Sequence, residues 1–278
     1  MRVVSKKVLV GSPAARIVRI SLFAPEISKT AKAGQFVVVM AEEKGERVPL
    51  TIVDADAKAG EITLIFQEAG LTTRILGSLS PGDNLHALLG PLGHATQIKK
   101  YGKVILVGGG VGAAEIMPVA RAMKDEGNHV TSILGFRNKE LVILEEELRN
   151  SSDKVYVLTD DGSYGDKGFT VDRLKKLLDE GKYDLIYAVG PVPMMKNVSL
   201  LSREYDIRTI VSLNALMVDG TGMCGCCRVS VFGRVKFSCV DGPDFDAAGV
   251  DWEELENRNK VYNPQEKHAC KLFREGKG

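Results

Sequence analysis

The sequence lacks an excess of either charge. Its 278 residues include 37 lysines and arginines against 36 aspartates and glutamates, for a formal net charge of +1. Proteins that bind nucleic acids or anionic membranes usually concentrate positive charge, so this balance indicates neither kind of partner. Hydrophobic residues make up 44% of the chain and charged residues 26%, which is typical of a soluble globular protein.

Features of export and membrane insertion are also missing. No apolar run approaches the roughly 20 residues that cross a bilayer. Residues 1–8 alternate like a strand and lack the apolar core and cleavage site of a signal peptide. The five cysteines are an odd number and four of them are close together, which argues against a disulfide framework. We therefore expect a cytoplasmic protein.

Residue patterns for acid–base or nucleophilic catalysis are absent as well. The chain has only four histidines, and they are scattered. We find no Ser-His-Asp or Cys-His constellation, so we predict no catalytic side chain.

What the sequence does contain is a cysteine-rich window near its C-terminal end. Cys224 and Cys227 have the Cys-x-x-Cys spacing that lets two thiolates bind one centre. Residues 228–238 read as a hairpin that turns at Phe232-Gly233, which returns Cys239 to the first two cysteines. The arrangement predicts a metal site, because thiolates favour zinc or iron–sulfur clusters.

Asp219 completes the pattern, five residues before Cys224. Plant-type [2Fe–2S] sites use a Cys-x4-Cys-x2-Cys run and a later cysteine, and here an aspartate replaces the first cysteine. Gly220 and Gly222 let the loop wrap closely around a cluster. We predict a [2Fe–2S] cluster with the ligands Asp219, Cys224, Cys227 and Cys239.

Two alternatives stay open for this site. A single zinc ion would need a fourth ligand, which His268 or Cys270 could supply. Cys226 could replace Asp219, although adjacent residues in a tight loop usually point apart. We interpret Cys226 as a packed or half-exposed thiol.

The rest of the chain divides by its residue pattern into two further blocks. Residues 1–96 contain short apolar strands separated by Gly, Pro and Asp, which predicts a small antiparallel β-barrel. Residues 97–213 alternate strands and helices, which predicts an open parallel sheet covered on both faces. Residues 214–278 form the cysteine-bearing module and a polar tail. The predicted fold class is therefore a β-barrel plus an α/β domain with a small C-terminal module.

The α/β block carries a dinucleotide fingerprint. Gly108, Gly110 and Ala113 match G-x-G-x-x-G/A after a predicted strand and at the start of a helix. The ends of the other strands lie where open α/β sheets bind ligands. The nucleotide-binding residues predicted from these positions are Gly109, Gly110, Val111, Gly112, Arg137, Asp160, Asp161, Gly190, Pro191 and Met194.

The choice between NAD and NADP stays open. The acidic residue that usually binds the ribose 2′-hydroxyl is missing, and the second strand ends at Arg137, which could meet an adenosine phosphate or could be a solvated cap.

The barrel block contains two further groups of binding candidates. Arg47 offers a planar fork for a pyrophosphate, and Thr51 offers a hydroxyl for a ring edge. The segment that starts at Gly70 resembles a helix start whose hydroxyls either cap backbone N–H groups or contact a phosphate. The candidates are Arg47, Pro49, Leu50, Thr51, Gly70, Thr72 and Thr73.

This order of blocks and motifs resembles the ferredoxin reductase superfamily, in its branch of dihydroorotate dehydrogenase electron-transfer subunits. The flavin motif Arg-x-Pro-[Leu/Ile]-[Ser/Thr] of that branch matches residues 47–51, and its pyridine-nucleotide motifs match residues 108–112 and 190–194. Its phosphate loop corresponds to residues 70–76, although Gly-x-Gly-Thr is replaced by Gly-Leu-Thr-Thr. The aspartate at 219 resembles the small subunits of NADH-dependent ferredoxin:NADP+ oxidoreductases, also called sulfide dehydrogenases.

The resemblance implies three cofactors, namely FAD, a [2Fe–2S] cluster and NAD(H) or NADP(H). It implies an electron-transfer subunit that works with a larger flavin and [4Fe–4S] subunit, and with ferredoxin through that subunit. The alternatives are the electron-transfer subunit of an NAD-dependent dihydroorotate dehydrogenase and, in another class, a zinc-stabilised nucleotide-binding regulator.

Overall fold

The N-terminal part of the protein is an antiparallel β-barrel. The structure, a computed structural model, describes residues 1–12 and 15–274. Six strands form one sheet in the order β1-β2-β5-β4-β3-β6. A bridge between Arg2 and Asn84 brings the start of the chain against the segment before β6 and closes the barrel. The strands are β1 (Val3–Gly11), β2 (Arg16–Phe23), β3 (Phe36–Met40), β4 (Arg47–Asp56), β5 (Glu61–Gln67) and β6 (Ala87–Leu92).

Two short helices accompany the barrel strands, α1 (Pro25–Thr30) and α2 (Leu71–Ser78). Inward residues alternate along the strands, as Ile20 and Leu22 do on β2, and both are fully buried. The sequence pattern predicts a strand at residues 84–89. In the structure this strand starts three residues later, at Ala87, because Asn84 bridges to Arg2 instead.

A parallel sheet with helices on both faces follows the barrel. Its strand order is β10-β9-β8-β7-β11-β12-β15, and every pair up to β12 is parallel. Two buried apolar clusters cover its faces. The elements are β7 (Lys103–Gly109), α3 (Gly112–Asp125), β8 (His129–Phe136), α4 (Glu145–Asn150), β9 (Lys154–Thr159), β10 (Asp166–Lys167), α5 (Thr170–Glu180), β11 (Leu185–Val189), α6 (Val192–Glu204) and β12 (Thr209–Ser212).

The sequence pattern over residues 140–149 predicts one continuous helix, and this prediction is wrong. The segment forms a 3₁₀ turn at Lys139–Leu141 and then the shorter α4. Leu144 has φ 58°, a left-handed conformation that interrupts a right-handed helix.

The C-terminal part adds a hairpin, a sheet strand and two helices. They are β13 (Arg228–Val231), β14 (Arg234–Phe237), β15 (Asp244–Asp246), α7 (Trp252–Arg258) and α8 (Asn263–Arg274). β15 pairs antiparallel with β12 and so extends the nucleotide sheet. The fold class predicted from the sequence is confirmed. The domain boundaries 1–96, 97–213 and 214–278 stay predictions, and residues 13–14 and 275–278 lie outside the described residues. Within the described residues, no helix is both long and apolar enough to cross a bilayer.

A buried polar network joins the three parts of the chain at Asp244. This carboxylate accepts hydrogen bonds from the Thr96 hydroxyl at 2.6 Å and the Tyr187 hydroxyl at 2.9 Å. Thr96 follows the barrel, Tyr187 lies in β11, and Asp244 lies in β15. Burial raises the pKa of Asp244 to about 6, and hydrogen bonds from Thr96, Tyr187 and Ser212 oppose that rise.

We expect Asp244→Asn to remove a pH-dependent loss of stability. Because the fold raises this pKa, the folded chain holds the proton more tightly than the unfolded chain. The stabilisation is complete below about pH 4 and is lost as the pH rises through about 6. A shift of roughly two units corresponds to about 3 kcal/mol.

The free energies of unfolding of wild type and variant, measured from pH 4 to pH 7, test this expectation. The wild type should lose stability relative to Asp244→Asn as the pH rises. The exposed Asp206→Asn serves as the control for the replacement of an aspartate by an asparagine. A constant difference for Asp244→Asn would contradict the expectation.

Candidate functional site

The glycine loop after β7 has the geometry that the fingerprint predicts. A Cβ at Gly112 would lie 2.3 Å from the Val189 carbonyl oxygen, so α3 packs directly on the end of β11. A Cβ at Gly108 would lie 2.9 Å from Ala113 Cα. Gly110 differs from both, since it has φ +58° and open space where a Cβ would stand. The loop therefore leaves a cradle at the N-terminus of α3, where a phosphate is favoured.

A cavity of about 450 Å³ lies over this loop at the carboxyl ends of the sheet strands. Its lining includes nine of the ten predicted nucleotide residues, namely Gly109, Gly110, Val111, Gly112, Arg137, Asp160, Gly190, Pro191 and Met194. The tenth, Asp161, is not among them. Its carboxylate accepts hydrogen bonds from the backbone N–H and the hydroxyl of Ser163 at 2.9 and 2.6 Å. Aspartate side chains commonly stabilise turns in this way.

Two opposite charges face the nucleotide cavity. Arg137 and Asp160 both line it, and Arg137 is exposed. Within the described residues neither side chain has an ion-pair partner. A guanidinium favours a 2′-phosphate and a carboxylate disfavours one, so these two side chains have opposite effects on the binding of NADP.

A second cavity lies between the barrel and the sheet. Four of the predicted flavin residues line it, namely Pro49, Leu50, Thr51 and Thr73. The Thr73 hydroxyl is also used locally, because it donates to the Gly70 carbonyl and accepts from the Gly70 N–H, both at 3.0 Å. The capping role considered for this segment is therefore present beside its place in the cavity.

Three other predicted flavin residues lie outside this lining. The Arg47 side chain is exposed and has no hydrogen bond or ion pair to the described part of the chain, so its guanidinium is free to bind a ligand phosphate. Gly70 is the N-cap residue before α2 and has open space where a Cβ would stand. Thr72 is buried, which favours packing over ligand contact for its side chain.

The two cavities meet at four residues that line both of them, namely Gln67, Val111, Glu115 and Asn214. The Glu115 carboxylate accepts a hydrogen bond from the Thr51 hydroxyl at 3.2 Å. Burial raises the pKa of Glu115, and this hydrogen bond opposes the rise. Of these four residues, only Val111 was predicted from the sequence. The available signal for Glu115 was an acidic residue in the first turn after the glycine loop.

The segment after β12 joins the second cavity to the cysteine loop. Residues 212–215 and Met217 line the cavity, and Asp219 follows two residues later. The loop then packs on the barrel, because a Cβ at Gly220 would lie 2.6 Å from Val38 Cγ2. Gly220 and Gly222 have φ +74° and +87°, so the predicted need for glycine at both positions is explained.

The predicted hairpin brings two thiols together. β13 and β14 pair around Phe232 and Gly233, whose φ values of 50° and 71° are those of a tight hairpin turn. The Sγ atoms of Cys227 and Cys239 lie 3.2 Å apart, and both residues are buried. This separation is well above a disulfide bond length, so the thiols are free to act as a pair of ligands.

The other two predicted ligands form a second pair across the loop. Asp219 accepts hydrogen bonds from the backbone N–H groups of Thr221 and Cys224, both at 2.9 Å. These hydrogen bonds, that of Thr221 first, lower the pKa of Asp219 and so favour its carboxylate form. Cys226 is half-buried, and its N–H donates to Cys224 Sγ at 3.4 Å.

The donor set fits an iron–sulfur cluster better than a single ion. Within the described residues, no three His, Cys, Asp or Glu side chains converge closely enough to hold one metal ion. A two-iron cluster needs two ligands on each iron, and the two pairs described above match that need. The N–H groups of Cys226 and Cys239 already point at sulfur atoms, as is common around cluster ligands.

The C-terminal tail supports this loop, a role that the tail's polar sequence does not indicate. Arg258 donates to the Cys226 carbonyl oxygen at 2.9 Å. Asn259 accepts from the Leu216 N–H at 3.1 Å and donates to the Asn214 carbonyl oxygen at 3.2 Å. The tail therefore holds both the cavity-lining segment and the cluster loop.

Two family models match this chain. The iron–sulfur cluster binding domain of dihydroorotate dehydrogenase B matches residues 214–251. The oxidoreductase NAD-binding domain matches residues 106–199. The predictions of an iron–sulfur cluster and a nicotinamide nucleotide are thereby confirmed, and the flavoprotein architecture implies FAD.

Relatives and solved structures agree with these matches. A Thermotoga maritima homologue of the dihydroorotate dehydrogenase B (NAD(+)) electron transfer subunit is 47% identical over 91% of this chain and 89% of its own length. The Desulforamulus reducens electron transfer subunit is 34% identical over 83% of this chain and 90% of its own length.

Among solved structures, one chain from the NADH-dependent reduced ferredoxin-NADP oxidoreductase is 43% identical, with a TM-score of 0.92 over 98% of this chain and 97% of that one. An Amycolatopsis cytochrome P450 reductase shares the fold at 20% identity, with a TM-score of 0.60 over 73% of this chain and 64% of that one. The chain therefore belongs to the family of dihydroorotate dehydrogenase B electron-transfer subunits, which are NAD(P)-binding flavin oxidoreductase subunits with the ferredoxin reductase fold.

Proposed function

We propose that this chain is the small subunit of an electron-bifurcating, NADH-dependent ferredoxin:NADP+ oxidoreductase. In this role it exchanges hydride between NAD(H) and FAD and passes single electrons through a [2Fe–2S] cluster to a larger partner subunit. That partner, with its own flavin and [4Fe–4S] clusters, would contact ferredoxin.

One observation carries the proposal, namely that the candidate sites are continuous. The nucleotide cavity shares four lining residues with the flavin cavity, and the lining of the flavin cavity ends at Met217. Two residues span at most about 7 Å, so Asp219 lies close to the flavin cavity. Nucleotide, flavin and cluster would thus be neighbours in the order that electron flow requires.

The residues of this chain would bind and orient the flavin, the nucleotide and the cluster. Flavin chemistry converts a two-electron hydride donor into single electrons, and an iron–sulfur cluster carries them one at a time. Thr51 and Thr73 would hold FAD from the barrel side, and Arg47 would approach its pyrophosphate from outside. The cradle at Gly110 would receive the pyrophosphate of the nicotinamide nucleotide. Cys227 and Cys239 would hold one iron, with Asp219 and Cys224 on the other.

Asp219 favours this assignment over the dihydroorotate alternative. The resemblance places a cysteine at this position in the dihydroorotate branch and an aspartate in the ferredoxin:NADP+ oxidoreductase small subunits. The similarity at 43% identity over nearly the whole chain supports the same choice. A dihydroorotate dehydrogenase partner remains the second candidate because the curated relatives carry that name.

Purification of the native complex under anaerobic conditions separates these candidates. With an affinity tag on this chain, the proposal expects a larger flavin and iron–sulfur subunit to copurify. The complex should couple oxidation of reduced ferredoxin and NADH to reduction of NADP+. Recovery of a dihydroorotate-oxidising partner instead would overturn the proposal in favour of the second candidate.

We expect Asp219→Cys to assemble a cluster with a changed reduction potential. The substitution replaces a hard carboxylate oxygen with a soft thiolate, which changes the electronic environment of one iron. Potentiometric titration of the cluster in both proteins measures the change. An unchanged potential would show that Asp219 is not a ligand.

A further inference from the structure

Glu115 is a carboxylate that the proposed function leaves without a role. It lies in the first turn of α3 and lines both the nucleotide cavity and the flavin cavity. Its side chain is half-buried and accepts the hydrogen bond from Thr51 at 3.2 Å. Thr51 lies in β4, inside the segment predicted to bind the flavin. The pair therefore spans the junction at which hydride would pass.

No cation neutralises Glu115 in the described part of the chain. Asp54 on β4 and Arg121 on α3 pair with each other at 2.8 Å. Burial is the main cause of the raised pKa of Glu115, with no contribution from a neighbouring charge. The other titratable or charged residues on the elements packed against α3 are Arg47 and Asp56 on β4, Lys103 on β7, His129 on β8, Glu145, Glu146, Glu147 and Arg149 on α4, and Tyr187 on β11.

The proposed function produces a proton in this cleft. A hydride is one proton with two electrons, so oxidation of NADH gives NAD+, two electrons and one proton. The electrons leave singly through the cluster to the one-electron acceptor of the partner. The proton cannot follow that route and needs an acceptor beside the flavin cavity.

We propose that the Glu115 carboxylate accepts this proton through the Thr51 hydroxyl. Thr51 gives its proton to Glu115 as it takes one from the flavin cavity, so one O–H bond forms on Glu115 and the Thr51 O–H bond is restored. Glu115 then releases the proton into the nucleotide cavity, which is open to solvent. A carboxyl whose pKa is raised suits both steps, because it binds a proton more readily than an ordinary glutamate and still releases it. The inference rests on the proposed function.

Glu115→Gln tests the inference in the holoprotein by separating two half-reactions. The amide still accepts a hydrogen bond from Thr51 but takes no proton. FAD content and the rate of flavin bleaching by NADH should be retained. Reoxidation by ferricyanide, a one-electron acceptor, should slow on the order of a hundredfold. The wild-type reoxidation rate should rise with pH as Glu115 ionises, and the variant should lose this rise.

Three comparisons separate a proton-accepting role from a structural one. Thr51→Val should reproduce the slow reoxidation, and Thr51→Ser should restore the fast rate. Glu126→Gln, an exposed glutamate at the other end of α3, is the matched control and should behave as the wild type. Time-resolved infrared spectra recorded during reoxidation should contain a transient protonated carboxyl band that Glu115→Gln lacks.

The outcomes distinguish the inference from the proposed function. A wild-type protein without a cluster would overturn the proposed function. A wild-type protein with a cluster, alongside a Glu115→Gln variant that keeps the wild-type reoxidation rate, pH profile and infrared band, would overturn the inference alone.

Discussion

Cys239→Ala will abolish the cluster and leave the flavin in place. Cys239 is buried with its sulfur 3.2 Å from that of Cys227, so its loss removes half of one ligand pair. The flavin cavity is lined by other residues, and NADH should still bleach the flavin. We expect nearly all iron and iron–sulfur absorption to be lost while FAD content stays at the wild-type level. Iron analysis with the visible spectrum measures both.

Cys226→Ala is the matched control, because it removes a thiol from the same loop. The backbone carbonyl oxygen of Cys226 accepts the hydrogen bond from Arg258, so this hydrogen bond is retained in the variant. The cluster should therefore remain. Loss of iron in Cys226→Ala, together with its retention in Asp219→Ala, would contradict the ligand assignment and favour Cys226 as the fourth ligand.

Gly112→Ala will weaken NADH binding without removing FAD. The added Cβ would lie 2.3 Å from the Val189 carbonyl oxygen and 2.8 Å from the carbonyl carbon. These are backbone atoms, which cannot move aside by a change of rotamer as a side chain can. The first turn of α3 must then move away from β11, which displaces the nucleotide cradle. Overpacking of this kind costs a fold about 1–3 kcal/mol of stability, and we expect the displaced cradle to bind NADH at least several-fold more weakly. The KM for NADH in the reduction of an artificial acceptor reports the loss.

Gly181→Ala controls for the general effect of a glycine substitution. A Cβ there would meet no atom within 4 Å, and the residue has an extended backbone. Its KM for NADH should equal that of the wild type. A Gly112→Ala protein with unchanged KM would show that the loop is not the nucleotide cradle.

Features that depend on local chemistry could be predicted from the sequence. The pair Phe232-Gly233 specifies its hairpin turn, and that turn determines where Cys239 arrives. The glycine loop at 108–112 was recognisable because strand, turn and helix follow one another in sequence. Nine of its ten associated nucleotide candidates share one cavity, since the carboxyl ends of parallel strands meet at one edge.

Features that depend on long-range contacts could not be predicted. Glu115 looks like an ordinary acidic residue in the first turn of a helix, where the helix dipole favours it. Only the approach of β4 to α3 puts Thr51 beside it. Arg258 and Asn259 lie in a polar tail. Arg258 donates to the cluster loop and Asn259 bonds to the segment before that loop, and these hydrogen bonds span more than thirty residues of sequence.

The central claim is that this chain carries electrons from NADH through a flavin to a [2Fe–2S] cluster. Electron paramagnetic resonance of the anaerobically purified holoprotein, reduced first with NADH and then with dithionite, tests it most directly. We expect the signal of a reduced [2Fe–2S] cluster in a protein that also contains FAD. A colourless, zinc-containing protein that gives no such signal would contradict the account.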